Sequence, residues 1–172
     1  MKQKTKLFNL VLSALFAAII TIFTAWLFHI PIKVGSNTAY IHFGDAFLFL
    51  AASLLATPYA CATAAVGGCL ADLFCGAAVW APFTTVIKVM VAVCFSSKGE
   101  KILSKRNLFA FIPALLITVV GYYIAEALIY GNWVAPVLSV FGNVIQIIGS
   151  AIIYVFISMG LEKINIKNRF SL

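Results

Sequence analysis

Apolar stretches that recur almost to the C-terminus, few charges, and basic residues gathered at three places make this chain read as an all-α membrane protein. Six transmembrane helices are expected, with the N- and C-termini cytoplasmic. Apolar residues make up 63% of the 172 residues and charged residues 10%, against roughly 25% charged in soluble globular proteins. The mean hydropathy is +1.08. No separate soluble domain fits, so residues 1–172 read as one membrane domain. Lys2, Lys4 and Lys6 precede the first span, Lys98, Lys101, Lys105 and Arg106 share one loop, and Lys163, Lys167 and Arg169 follow the last span. Even numbers of crossings separate these places, so the positive-inside rule puts all three in the cytoplasm. A net charge of +7 distributed in this way points to a lipid bilayer and not to nucleic acid.

The first span is expected from about Leu7 to Phe28, because the apolar run continues with no convincing cleavage site of a signal peptide. Ser13, Ala17, Thr21 and Ala25, with Ala14 and Ala18 beside them, put small side chains where a second helix can approach closely. Residues 29–43, HIPIKVGSNTAYIHF, are polar; Pro31 ends the helix, and Gly35, Ser36 and Asn37 are turn formers. This longest outside segment reads as a loop suited to a lid or to binding. The second helix, Gly44 to about Ala56, carries Asp45 in its first turn, where the helix dipole favours a carboxylate. The third, about Tyr59 to Ala77, repeats Ala60, Ala64, Gly68, Asp72 and Gly76 every four residues, a bare face interrupted by one carboxylate.

Trp80 suits the outer interface and Pro82 the first turn of the fourth helix, about Ala81 to Phe95, whose Thr84 and Lys88 share a face. A basic cytoplasmic loop leads to the fifth helix, about Leu108 to Tyr130, with Tyr122, Glu126 and Tyr130 one turn apart. Gly131, Asn132 and Trp133 form the outer turn. The sixth helix, about Val134 to Leu161, bears a polar stripe of Ser139, Asn143, Gln146 and Ser150.

A charge at the bilayer centre costs at least ~2.5–3.5 kcal/mol, so Asp72 and Lys88 should face the bundle, with Lys88 paired to Asp72 or Glu126. Counting along the helices puts the polar groups in the outer half of the membrane and leaves the inner half almost wholly apolar. A pore or a self-sufficient secondary transporter needs polar lining on both sides of the midplane. The pattern fits instead an outward-facing pocket closed beneath. Tyr40, Trp80, Tyr122, Tyr130 and Trp133 would stack on a flat ring. Its edges would meet Asn37, His42, Asp45, Asp72, Thr84, Lys88, Glu126, Asn132, Asn143 and Gln146. Catalysis has no support: HExxH, GxSxG and a Ser or Cys beside a His are all missing from the sequence. The four cysteines lie in apolar stretches without a CxxC pair, so no metal, cofactor or disulfide is expected.

The segments NTAYIHFGDAFLFLAASLL and GGCLADLFCGAAVWAPFTTVIK resemble the substrate-binding S components of energy-coupling factor (ECF) transporters, in the branch for riboflavin, hydroxymethylpyrimidine or pyridoxine. The similarity is sharpest at Gly44 to Ala46, Gly67 to Asp72 and Ala81 to Lys88. It implies a subunit that captures a water-soluble vitamin or precursor outside the cell membrane. It also implies docking through helix 1 onto a membrane scaffold subunit that carries two ATPases, which would hydrolyse the ATP. The family's AxxxA docking motif matches Ala14 to Ala18. A solitary secondary transporter and a non-transport membrane assembly protein are the alternatives.

Overall fold

The computed structural model describes residues 2–27, 30–34 and 37–167, with side chains over 6–27 and 42–167. In chain order the elements are α1 (Lys2–Ala25), β1 (Ile30–Val34), β2 (Asn37–Ile41), α2 (Gly44–Leu54), α3 (Thr57–Phe74), α4 (Ala81–Cys94), α5 (Lys105–Phe109), α6 (Phe111–Tyr130) and α7 (Pro136–Lys163). The all-α expectation needs one correction. The outer segment is not an irregular loop but an antiparallel hairpin, paired from Ile30↔Ile41 to Val34↔Asn37. Ile30, Ile32 and Val34 alternate along β1 and pair with Ile41, Ala39 and Asn37 of β2, a strand-like alternation on either side of turn-forming residues in the sequence. Pro31 is tolerated because a two-stranded ribbon has two open edges.

Helix α5 precedes α6 where one continuous fifth helix was expected. Ser104 caps α5 by accepting from the Asn107 N–H at 3.3 Å, and Pro113 near the start of α6 cannot donate into a preceding turn. Among the described residues three stretches are long and apolar enough to cross a membrane: Lys6–Ala25, Lys105–Tyr130 and Pro136–Lys163. Helices α2 and α4 are apolar but shorter, at 11 and 14 residues.

The short α2 is the middle of the assembly. It packs on α1, α3, α4 and α7, and ten of its eleven residues are buried. Small residues permit this. A Cβ on Gly44 would stand 2.0 Å from the Thr24 hydroxyl oxygen of α1, and one on Gly67 would stand 3.0 Å from Ile20. The Thr21 hydroxyl is shared between the Ala17 carbonyl of its own helix at 2.9 Å and the Gly67 carbonyl at 3.2 Å, and Thr63 donates to the Ser13 carbonyl at 3.3 Å. One face of α1, with Ser13, Ala17 and Thr21, is thereby bound to α3, while Ala14 and Ala18 are left exposed on another.

At the end of the molecule away from the hairpin, the expectation of an almost wholly apolar half also fails. Asn107 is fully buried. Its amide nitrogen donates to the Ser53 hydroxyl at 3.2 Å and to the carbonyls of Ser96 and Ile102 at 3.0 Å each, and its oxygen accepts from the Ser96 N–H at 2.9 Å. The Tyr154 hydroxyl bonds Ser53 at 2.9 Å and donates to the Ile102 carbonyl at 3.0 Å. Hydropathy averaging hid this network, because single polar residues sit among long apolar runs. The bonds tie the basic loop to α2 and α7 and close this end with mutually satisfied groups. Asn107→Ala would leave several buried partners unbonded at ~1–3 kcal/mol each. It should lower the detergent melting temperature markedly; an unchanged melting curve would show that the loop holds without Asn107.

A cavity of about 420 Å³ opens at this same end, between Lys101, Met159, Glu162 and Lys167. Two of its polar groups are already committed to the fold. The Lys167 amine donates to the carbonyls of Ser97 and Gly99 at 3.0 and 2.7 Å, and Glu162 accepts from the Leu103 N–H at 2.8 Å.

Candidate binding site

Site residues converge where α2 and α4 begin, α3 and α6 end, and the first half of α7 passes. Asp45 enters from α2 with 1% exposure and Lys88 from α4 with 2%. They form a direct ion pair through Lys88 Nζ and Asp45 Oδ1. The second carboxylate oxygen accepts from Gln146 Nε2 of α7 at 2.8 Å. Three helices are thus joined at one buried carboxylate. The desolvation cost is offset because both its oxygens are used and the amine is met by its counter-ion.

Pairing of Lys88 with Asp72 or Glu126 is therefore corrected to pairing with Asp45, and the reason is register. Gly68 of α3 faces the stem of Lys88: a Cβ there would stand 3.1 Å from Lys88 Cγ and 3.1 Å from Thr84 Cγ2. The bare glycine lets the stem run across α3 and deliver the amine to α2. Asp72, one turn farther out, faces Thr84 and the flank of Lys88, and its Oδ2 is buried with no hydrogen-bond partner among the described residues. On α6 the Tyr122 hydroxyl lies 3.3 Å from the Thr84 hydroxyl, to which it donates. Glu126, one turn beyond Tyr122, then stands near the level of Trp80, eight residues or about 12 Å above Lys88. Asp45 also does not act chiefly as a helix cap, the role its first-turn position suggests, because its carboxylate is spent on side chains of other helices.

The aromatic expectations divide. Trp80 lies with its ring centre 6.3 Å from those of both Tyr122 and Tyr130, and Lys88 Nζ sits 5.7 Å from the Tyr122 ring centre. These three rings form one group. Trp133 is exposed and packs on Tyr123 at 6.4 Å, with its carbonyl accepting from the Tyr123 hydroxyl at 2.6 Å. It belongs to the outer turn and not to the ring group. Asn132 likewise has a structural use: its side-chain oxygen accepts from the N–H groups of Val134 and Ala135 at 2.8 and 3.2 Å, capping the approach to α7.

His42 is buried and faces Asp45, Asn143 is half-buried on α7, and the side chains of Asn37 and Tyr40 lie outside the described residues. Both residues are in β2, and the hairpin lies against α7. Sequence reasoning passed over Thr118 of α6 as a site residue. Its hydroxyl is buried without a bonding partner, as are those of Ser139 and Ser150 on the α7 stripe. A lone threonine in an apolar run gives no signal of this in the sequence.

A buried ion pair, amide and carboxylate groups beneath a ring-lined rim can hold a flat polar molecule: rings take its faces and hydrogen-bonding groups its edges. The family of ECF-type riboflavin transporter S components matches residues 4–163. The chain belongs to that family. No curated protein matches it. As an S component it is a membrane protein of vitamin uptake, and its apolar helices α1, α6 and α7 suit that setting.

Proposed function

We propose that this S component captures a small water-soluble vitamin or vitamin precursor with a flat ring, of the riboflavin, hydroxymethylpyrimidine or pyridoxine kind, from outside the cell. The observation that carries this reading is the joining of α2, α4 and α7 at Asp45, Lys88 and Gln146 under the Trp80, Tyr122 and Tyr130 rings. The opposite end is sealed by Asn107 and Tyr154, which argues for a pocket open on one side only. In this reading α2, α3 and α4 cross the membrane along with the three long spans, giving six crossings and cytoplasmic termini. The ligand is handed to an ECF scaffold subunit with two ATPase subunits. ATP hydrolysis belongs to those partners, and the chain itself is not an enzyme.

Mass spectrometry of the detergent-solubilised protein should detect a co-purifying heteroaromatic compound that a Lys88→Met preparation lacks. Wild-type protein that carries none, and binds no such compound when it is supplied, would defeat the reading. Orientation has its own test in a background without native cysteines. A membrane-impermeant thiol reagent applied outside should label Ser36→Cys and spare Ser104→Cys. Labelling at position 104 would invert the topology.

A further inference from the structure

The charges of the site do not balance, and carboxyl groups are in excess: Lys88 pairs with Asp45, while Asp72 keeps a buried oxygen without a partner among the described residues. Asp45, Asp72 and Glu126 supply three carboxyl groups to the candidate site. Among the described side chains the basic groups beside them are Lys88 and His42, and both face Asp45. Glu126 is 5% exposed, yet no described hydrogen bond or ion pair reaches it, and Lys88 is held two helical turns deeper. The Glu126 carboxylate oxygens are not fully enclosed, unlike Asp72 Oδ2, so the group reaches open space, and a carboxylate held without a counter-ion in a membrane protein is costly.

Its surroundings say what would relieve that cost. Tyr122 and Tyr130 stand one turn on either side of Glu126 along the same face of α6, and Trp80 lies against both, 6.3 Å from each ring. A group that approaches Glu126 on this face therefore meets aromatic rings on its flanks. Electron-rich ring faces around a carboxylate attract a positive charge and offer a neutral hydroxyl or carbonyl much less.

We infer that the ligand of this site carries a positive charge, as a protonated amine or ring nitrogen on its flat heterocycle, and that Glu126 is its counter-ion inside the Trp80, Tyr122 and Tyr130 group. The inference rests on the capture reading above and narrows its substrate class away from uncharged flavins and alcohols. With Asp45 already neutralised by Lys88, the incoming cation would give Glu126 a counter-ion. It would do so without disturbing the ion pair that joins the helices.

Two pairs of probes of equal shape decide the matter: pyridoxamine against pyridoxine, and 4-amino-5-aminomethyl-2-methylpyrimidine against its 5-hydroxymethyl counterpart. Affinities are measured by titration calorimetry on the purified full-length protein in detergent. The amine of at least one pair should bind about tenfold or more tightly than the alcohol, the size of one charge-assisted hydrogen bond. Glu126→Gln should bring that amine down to the alcohol's affinity, and Glu126→Asp should keep part of the preference. Equal or tighter binding of the alcohols, or a preference that survives Glu126→Gln, overturns the inference and leaves vitamin capture standing. If Glu126→Gln does not fold, the wild-type comparison together with Glu126→Asp still gives the answer. Should none of the four compounds bind and no small molecule co-purify, the capture reading itself fails, and this inference with it.

Discussion

Replacing Lys88 by Met should cost about 3–5 kcal/mol of stability, because it strands a buried carboxylate and does not merely delete a contact. Asp45 would keep the Gln146 hydrogen bond but lose its counter-ion. It sits in α2, the helix on which α1, α3, α4 and α7 all pack, so the damage would spread through the bundle. The expected outcome is a large fall in detergent melting temperature together with loss of ligand binding. Pairing Lys88→Met with Asp45→Asn should recover much of the stability, since the stranded charge is gone, but not the affinity. A single variant with wild-type melting and wild-type affinity would show that Lys88 reaches water and does not pair with Asp45.

The second large effect is expected on transport and not on binding. Ala14 and Ala18 are exposed on α1, on a face other than the one that packs on α3. Small residues allow a partner helix to come within close packing distance, and a bulky side chain there forces the two backbones apart. Ala14→Trp or Ala18→Trp should therefore retain ligand affinity and melting temperature. Both should lose ATP-dependent uptake and co-purification with the scaffold subunit. Uptake at the normal rate in both variants would remove this face of α1 as the docking surface.

Much of this molecule was legible in its sequence because membrane helices announce themselves by hydropathy. The helices were found within a few residues of their ends, and the candidate groups Asp45, Asp72, Thr84, Lys88, Tyr122 and Gln146 do gather at one end. Partner choice within that group was not legible. Residue counting puts Asp45, Asp72 and Glu126 all in the outer half, and only the side-by-side register of the helices shows that Lys88 passes Gly68 to reach Asp45. The capping by Asn132 and the Tyr123 contact of Trp133 were not legible, because polar and aromatic residues at an outer turn serve such contacts as readily as binding. The hairpin was missed because Gly35, Ser36 and Asn37 drew attention to the turn and away from the alternation on either side. Asn107 was missed because it closes a basic loop that reads as solvated, although it bonds four neighbouring groups.

The hydrogen bonds between α1 and α3 have a mechanical consequence. Thr21 grips the Gly67 carbonyl and Thr63 grips the Ser13 carbonyl, roughly two turns apart along α1. Two such rivets, with the close approach of Gly67 to Ile20 between the same helices, prevent α1 from sliding or rolling on α3. A push delivered to the outer surface of α1 is then not absorbed there. It passes as torque into α3, and from α3 into α4, which lies along it, so these helices should tip together as a stiff plate. What must yield is whatever is joined less firmly to that plate, and the ribbon of β1 and β2 is packed on α7 instead. Tilting the plate against α7 would load the junction where Lys88 of α4 and Gln146 of α7 meet Asp45, turning a push on one flank of the molecule into a strain at its site.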